Sequence, residues 1–229
     1  MATTGTYAYN PSAADLVLNA FARIQIRGPE LTQQHLQDAY NEANLLQVEF
    51  SNRQPNLWTS ELYTTTLVAS TATYSLPART IAILAAYIST TTGSTTTDTI
   101  LSPISTTDYA SLPVKADEGV PSQFWYNRQL TPQVTFYPVP DDDTTYTLNL
   151  RILAQMEDVS LANGTTLDLP YRWMDAFTSG LASRLAQIYK PEMADRLDAR
   201  AERAWKIAAT EDQEDVPITV APMIGGYFR

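Results

Sequence analysis

Cysteine is absent from the 229 residues and histidine occurs once, as His35. That removes thiol chemistry, Cys/His zinc sites and any disulfide framework. Glycine is scarce, at 8 residues, and no phosphate-cradling glycine loop, G-x-S-x-G elbow or Ser-x-x-Lys pair can be found. Basic residues form no block able to neutralise a run of phosphates, which disfavours tight electrostatic binding of nucleic acid. No apolar run approaches the roughly 20 residues needed to span a bilayer. The opening "MATTGTYAYNPSAAD" lacks a positive region ahead of an apolar core, so no signal peptide is expected. The expectation is a soluble protein made in a cytoplasm, with no membrane contact.

What the chain does have is 44% hydrophobic and 17% charged residues, enough to bury a core. Its net charge is -10, negative in each of the stretches 1–55, 56–156 and 157–229. An acidic surface of this kind is compatible with DNA passing by without sticking.

Helical patterning begins at Ser12, where Leu16, Val17, Ala20, Phe21 and Ile24 form one stripe. Arg27-Gly28-Pro29 is expected to stop it. A second helix is expected over about 30–53, with Leu36, Ala39, Tyr40, Ala43, Leu46 and Phe50 on one face, antiparallel to the first. Residues 56–156 then read as strands and turns, rich in Thr, Tyr, Val and Ile. "LYTTTLVA", "ATYSL", "RTIAILAAYIS", "SQFWYN", "QVTFYPV" and "TYTLNLRILA" are the strand candidates. The clearest pairing joins Val134 and Phe136 to Tyr146, Leu148, Leu150 and Ile152 as a hairpin through "PVPDDDT". "STTTGSTTTDT" reads as a mobile hairpin tip, and "SPISTTDYASLP" as a short helical turn. Helical periodicity returns at Pro170 with Trp173, Phe177, Leu181, Leu185 and Ile188. Lys190-Pro191 breaks it, and Met193, Leu197, Ala201, Trp205 and Ala208 make a fourth stripe. The fold class that follows is α+β: a helical bundle built from N- and C-terminal helices, an inserted antiparallel β-rich domain, and an extended C-terminal tail. The boundaries are 1–55 and 157–212 for the bundle, 56–156 for the insertion and 213–229 for the tail.

Candidate chemistry is thin. Asp141, Asp142 and Asp143 offer oxygen ligands but lack the glycine and glutamate spacing of a calcium loop, so they read as a solvated turn. His35 lies in a helix with no second histidine and reads as a surface or helix-packing residue rather than a catalytic base. Trp125, Tyr126, Tyr137 and Tyr146 could stack sugars or bases; the plainer reading places them in the core or on a covered face. A glycosidase needs only two carboxylates that meet in space and leaves little local signature. No catalytic residue, cofactor or metal is therefore assigned.

The stretches "YSLPARTIAILAAYI", "SPISTTDYASLP", "GVPSQFWYNRQLTPQVTFYPVPDDDTTYTLNLRI" and "LDLPYRWMDAFTSGLASRLAQIY", with the opening helical pair through "RGPELTQQHLQDAYNEANLLQVEFSNRQPNLWT", resemble the head-to-tail adaptor (connector) proteins of short-tailed bacteriophages, the podovirus portal adaptors. The resemblance covers most of residues 12–212. It implies a structural virion protein rather than an enzyme, a homo-oligomeric ring, commonly dodecameric, at the head-tail junction. Such a ring docks on the portal protein, extends the channel for passing genomic DNA without binding it specifically, and carries a tail nozzle or plug protein. In this light "VPITVAPMIGGYFR" reads as the portal-docking arm. Pro217 and Pro222 keep it extended, Gly225 and Gly226 permit a bend, and Val216, Ile218, Val220, Met223, Ile224, Tyr227, Phe228 and Arg229 are the docking residues. The alternative is that this arm folds back on its own subunit. Rival readings of the whole chain are another tail ring or head-completion protein, and a cell-wall or polysaccharide hydrolase carried in the virion.

Overall fold

The computed structural model describes residues 5, 9–53, 57–162 and 164–212. Two helices come first, α1 (Ala13–Arg23) and α2 (Gln33–Arg53). Ser12 starts α1 with a reciprocal cap: its hydroxyl accepts from the Asp15 N–H, and the Asp15 carboxylate accepts from the Ser12 N–H, both at 3.2 Å. Thr32 and His35 do the same for α2, the imidazole Nδ1 accepting from the Thr32 N–H at 3.0 Å. The first helix stops earlier than Gly28 suggests. Gln25 takes a left-handed conformation (φ 65°), and the Ile26 N–H turns back to the Phe21 carbonyl at 3.0 Å. That is a Schellman-type ending reached without glycine.

The middle of the chain supplies β1 (Ser60–Thr66), β2 (Thr73–Ser75), β3 (Thr80–Thr92), β4 (Thr95–Ile100), β5 (Ser102–Pro103), the short α3 (Thr106–Ser111), β6 (Glu118–Gly119), β7 (Gln123–Asn127), β8 (Gln133–Tyr137), β9 (Val139–Pro140) and β10 (Tyr146–Ala154). One sheet runs β1-β10-β3-β4, all antiparallel; a second runs β2-β8-β7-β5; β6 and β9 form a short parallel pair. The two larger sheets share one buried cluster, in which Ala86, Ile88, Leu148 and Leu150 of the first meet Phe124, Val134 and Phe136 of the second.

This arrangement corrects the expected hairpin. Strands β8 and β10 do not pair: β8 lies between β2 and β7, while β10 lies between β1 and β3. Alternating side chains identify a strand's buried face but not its edge partner, and here both faces point into the same core from opposite sheets. The threonine-rich "STTTGSTTTDT" is strand for most of its length. Thr90, Thr91 and Thr92 pair with Thr97, Thr96 and Thr95 around Gly93, whose φ is 64°.

Helices α4 (Met174–Tyr189) and α5 (Ala194–Glu211) close the described chain. Every residue from Ala176 to Ser183 in α4 is buried, because α1, α2 and α5 all pack on it. Gly180 lets α2 come close: a Cβ there would stand 2.9 Å from a Leu46 methyl. Trp173 is fully buried, with Phe50 and Trp58 rings 5.3 Å and 5.1 Å away. The helical stripes hold with three exceptions. Leu36, Tyr40 and Ile188, expected in the core, are exposed. The face α2 buries is carried by Ala39, Ala43, Leu46 and Phe50, so Leu36 and Tyr40 look out of the bundle.

Candidate interaction surfaces

The residues that suggested chemistry are occupied with structural work. His35 caps α2 and packs between Phe21 and Tyr189, with ring centroids at 5.8 Å and 4.5 Å. The Tyr189 hydroxyl donates to the Asp38 carboxylate, and burial followed by that carboxylate pushes the phenol up to about 12. Asp141 accepts from the buried Tyr146 hydroxyl at 2.7 Å, so the aspartate run closes a turn over the β core. Trp125 stacks on Tyr109 at 4.9 Å and donates its indole N–H to Thr106 at 3.1 Å. Tyr126 donates to the Thr80 carbonyl at 2.9 Å. The Trp125 face is thus taken up by Tyr109, and the Arg128 guanidinium lies over the Tyr126 ring, 5.8 Å from its centroid. Among the described residues no group of three or more His, Asp or Glu is placed to hold a metal ion, and no helix is long and apolar enough to cross a membrane.

The residues expected to dock on the portal, Val216, Ile218, Val220, Met223, Ile224, Tyr227, Phe228 and Arg229, lie outside the described residues. Asp212, at the end of α5, is buried; it accepts from Arg172 at 2.5 Å and from the Leu57 N–H at 3.4 Å. A buried carboxylate is held only where such partners satisfy it. Asp212, the last described residue, is thus fixed beside the start of the β region.

Two flanks of the bundle carry exposed apolar surface. On α2, Tyr40, Leu45 and Val48 line a groove of about 640 Å³ that continues over Ile81, Gln155, Met156 and Asp158. Leu45 and Val48 are each about half exposed (53% and 48%). Among the described residues that line this groove, none is basic. The amide nitrogen of Gln47 is buried in its wall without a partner among the described residues.

On the other flank, α5 meets α1 across a hollow of about 760 Å³ lined by Arg23, Arg196, Arg200 and Arg203 around Ala204 and the exposed Ile207. The sequence shows no basic block, yet helical spacing gathers these arginines on one side of α5. The acids Asp198 and Glu202 fall on the opposite side, where Glu202 takes a 2.6 Å bond from Arg53. That bond, more than the neighbouring charges, holds the Glu202 carboxyl below its ordinary range. Between the flanks, Arg184 bridges Glu42 and Glu49 of α2 at 2.9 Å and 2.6 Å. Sequence reading missed both flanks. The i, i+4, i+7 spacing of Arg196, Arg200 and Arg203 was the available signal for one; for the groove there was none, since Ile81, Gln155, Met156 and Asp158, distant in sequence from α2, complete its wall.

A bundle of helices from both chain ends, a β sandwich inserted between them and an apolar closing segment is the arrangement the resemblance leads one to expect. A family model described as SU10 adaptor protein matches residues 11–221. The chain belongs to this family, a family of phage head-tail adaptors. No curated protein matches it. The SU10 adaptor match spans the bundle, the β region and the first part of the closing segment, taking in Val216, Ile218 and Val220 and stopping before Met223. An SU10 adaptor protein is a structural component of the virion, so the surfaces that matter are those that meet other proteins.

Proposed function

We propose that this adaptor is one subunit of a dodecameric ring at the portal vertex. The ring docks beneath the portal protein, extends the channel through which genomic DNA passes, and offers the platform to which a tail nozzle or plug protein attaches. The family match running unbroken from the first helix into the closing segment carries the reading. The division into bundle (1–55 and 157–212), inserted β-rich domain (56–156) and docking tail (213–229) belongs to the same proposal. Residues 216–229 reach the portal from the anchored Asp212, their apolar side chains contributing roughly 25 cal/mol per Å² buried before ordering costs. A net charge of -10 favours DNA that slides rather than sticks. No catalysis, cofactor or metal enters this function.

Co-sedimentation with the portal ring of the same virus tests it, comparing the full chain with a version ending at Asp215. Binding by the full chain and not by the truncation is the expected result. Binding by both removes the docking role from the tail; binding by neither removes the portal, and another tail ring or head-completion protein becomes the better reading. Release of sugar or peptide from purified cell-wall material would instead establish the hydrolase.

A further inference from the structure

Charge is distributed on this molecule in a way the whole-chain figure conceals. The protein is acidic, with a pI near 4.5. Yet Arg23, Arg196, Arg200 and Arg203 surround one hollow whose only acidic lining residue among those described is Asp175, bonded to Arg23 at 2.7 Å. Arg196, Arg200 and Arg203 are exposed and make no ion pair with any described residue. An apolar centre at Ile207 inside an arginine rim has the anatomy of a protein contact, in which arginine and apolar groups are enriched. The α2 groove has the complementary composition: apolar at Leu45 and Val48, with no cation among its described lining residues, and bordered by Asp158, which forms no ion pair with a described residue.

The two surfaces lie on different flanks, with the buried middle of α4, Ala176 to Ser183, between them. A closed ring requires this, because its subunits meet head to tail through two unlike patches. We propose that the arginine-rimmed flank of α5 on one copy seats against the α2 groove of the next, Ile207 entering beside Val48 and the arginines facing Asp158. The proposal rests on the ring reading above and names the contact that closes it. Charge complementarity selects the occupant: a second copy of an acidic chain is the surface these arginines fit.

The absence of cysteine makes the test clean. Val48→Cys and Ile207→Cys are prepared as separate full-length variants, mixed, oxidised mildly and compared with an Ile100→Cys control, Ile100 being 82% exposed in the β region. The expected product is the mixed Val48–Ile207 dimer, in excess over either homodimer and over any pairing with the control. It should be suppressed at about 0.5 M salt, where charges are screened beyond a few ångströms. The double variant should give a ladder of multimers. Adding Arg200→Glu and Arg203→Glu to the Ile207→Cys chain should lower the mixed dimer about tenfold, since both side chains are exposed and their loss acts on the contact.

A mixed dimer no more abundant than the control pairings overturns the contact. Sedimentation then separates the causes: rings or multimers cross-linked elsewhere leave the ring intact, whereas a chain that is monomeric at all concentrations and on the portal removes the ring as well. If the double arginine variant loses retention of duplex DNA at low salt while the cross-link is unchanged, the flank is a phosphate surface and the proposal is wrong.

Discussion

Gln25 sits where most helices place glycine. At φ 65° its Cβ is crowded against its own backbone, at a cost of roughly 1–2 kcal/mol for an L-residue. Gln25→Gly should relieve that strain and lose part of the gain to a more flexible unfolded chain, leaving a net stabilisation of about 0.5 kcal/mol. A lower thermal midpoint in the variant would contradict the assignment. Nothing in "RIQIRGPE" disclosed this ending, because the nearest glycine is three positions on and invites a later stop. Tyr146 and Tyr189 make a second prediction at this scale. Burial first, then Asp141 and Asp38 respectively, pushes both phenols up to about 12 from an ordinary 10. A phenol whose folded value lies above its unfolded value stabilises the fold while it is protonated. The contribution is complete below about pH 10 and is lost as pH rises towards 12. Urea midpoints should therefore hold level up to pH 10 and fall beyond it. Tyr189→Phe should cost about 1 kcal/mol at neutral pH, the worth of one hydrogen bond, and flatten that alkaline fall. An equally steep fall in the variant would leave Tyr189 without this role.

Gly180 governs how closely α4 and α2 approach. A leucine at this position would drive its Cβ to within 2.9 Å of the Leu46 methyl and push the rest of the side chain into a wall with no space. Gly180→Leu should destabilise by about 1–3 kcal/mol through overpacking, despite leucine's better helix propensity. Gly180→Leu with Leu46→Ala should recover part of the loss; no recovery would show that the clash lies elsewhere. Helices of this kind were legible because a stripe at three and four residues reports directly on the buried face, and Ala39, Leu46, Phe177 and Leu181 sit where the stripes put them. Strand existence was legible for the same reason at period two. Strand partners were not: "QVTFYPV" and "TYTLNLRILA" are adjacent in sequence and face a common core, yet their backbone hydrogen bonds go to different sheets. The surfaces were least legible of all. Leu36 and Tyr40 continue the apolar stripe of α2 beyond what the bundle covers, and they are exposed at its end and edge.

At the scale of the whole molecule the question is whether bundle and β region unfold together. The chain enters the β region at Ser60 and leaves it at Leu153, and these two residues are direct partners across β1 and β10. While the β region is folded, its ends are held side by side, and the bundle is closed by a connection that is effectively short. Once it unfolds, the same connection becomes a loop on the order of 90 residues, whose closure costs the bundle roughly 4 kcal/mol. The segment after β10 adds a direct tie, since Met156 and Val159 are buried in the helical cluster and the Val159 N–H donates to Asn44 of α2 at 2.9 Å. Destabilising the β core should therefore destabilise the helices. Leu150 is fully buried between the sheets, and Leu150→Ala removes about 2–5 kcal/mol there. In a Trp125→Phe background the remaining tryptophans Trp58, Trp173 and Trp205 all report on the bundle. Leu150→Ala should shift their fluorescence midpoint in urea in step with the far-ultraviolet signal. A tryptophan transition that stays in place while the far-ultraviolet signal moves would mean that the bundle stands alone, and that these ties do not couple its unfolding to that of the insertion.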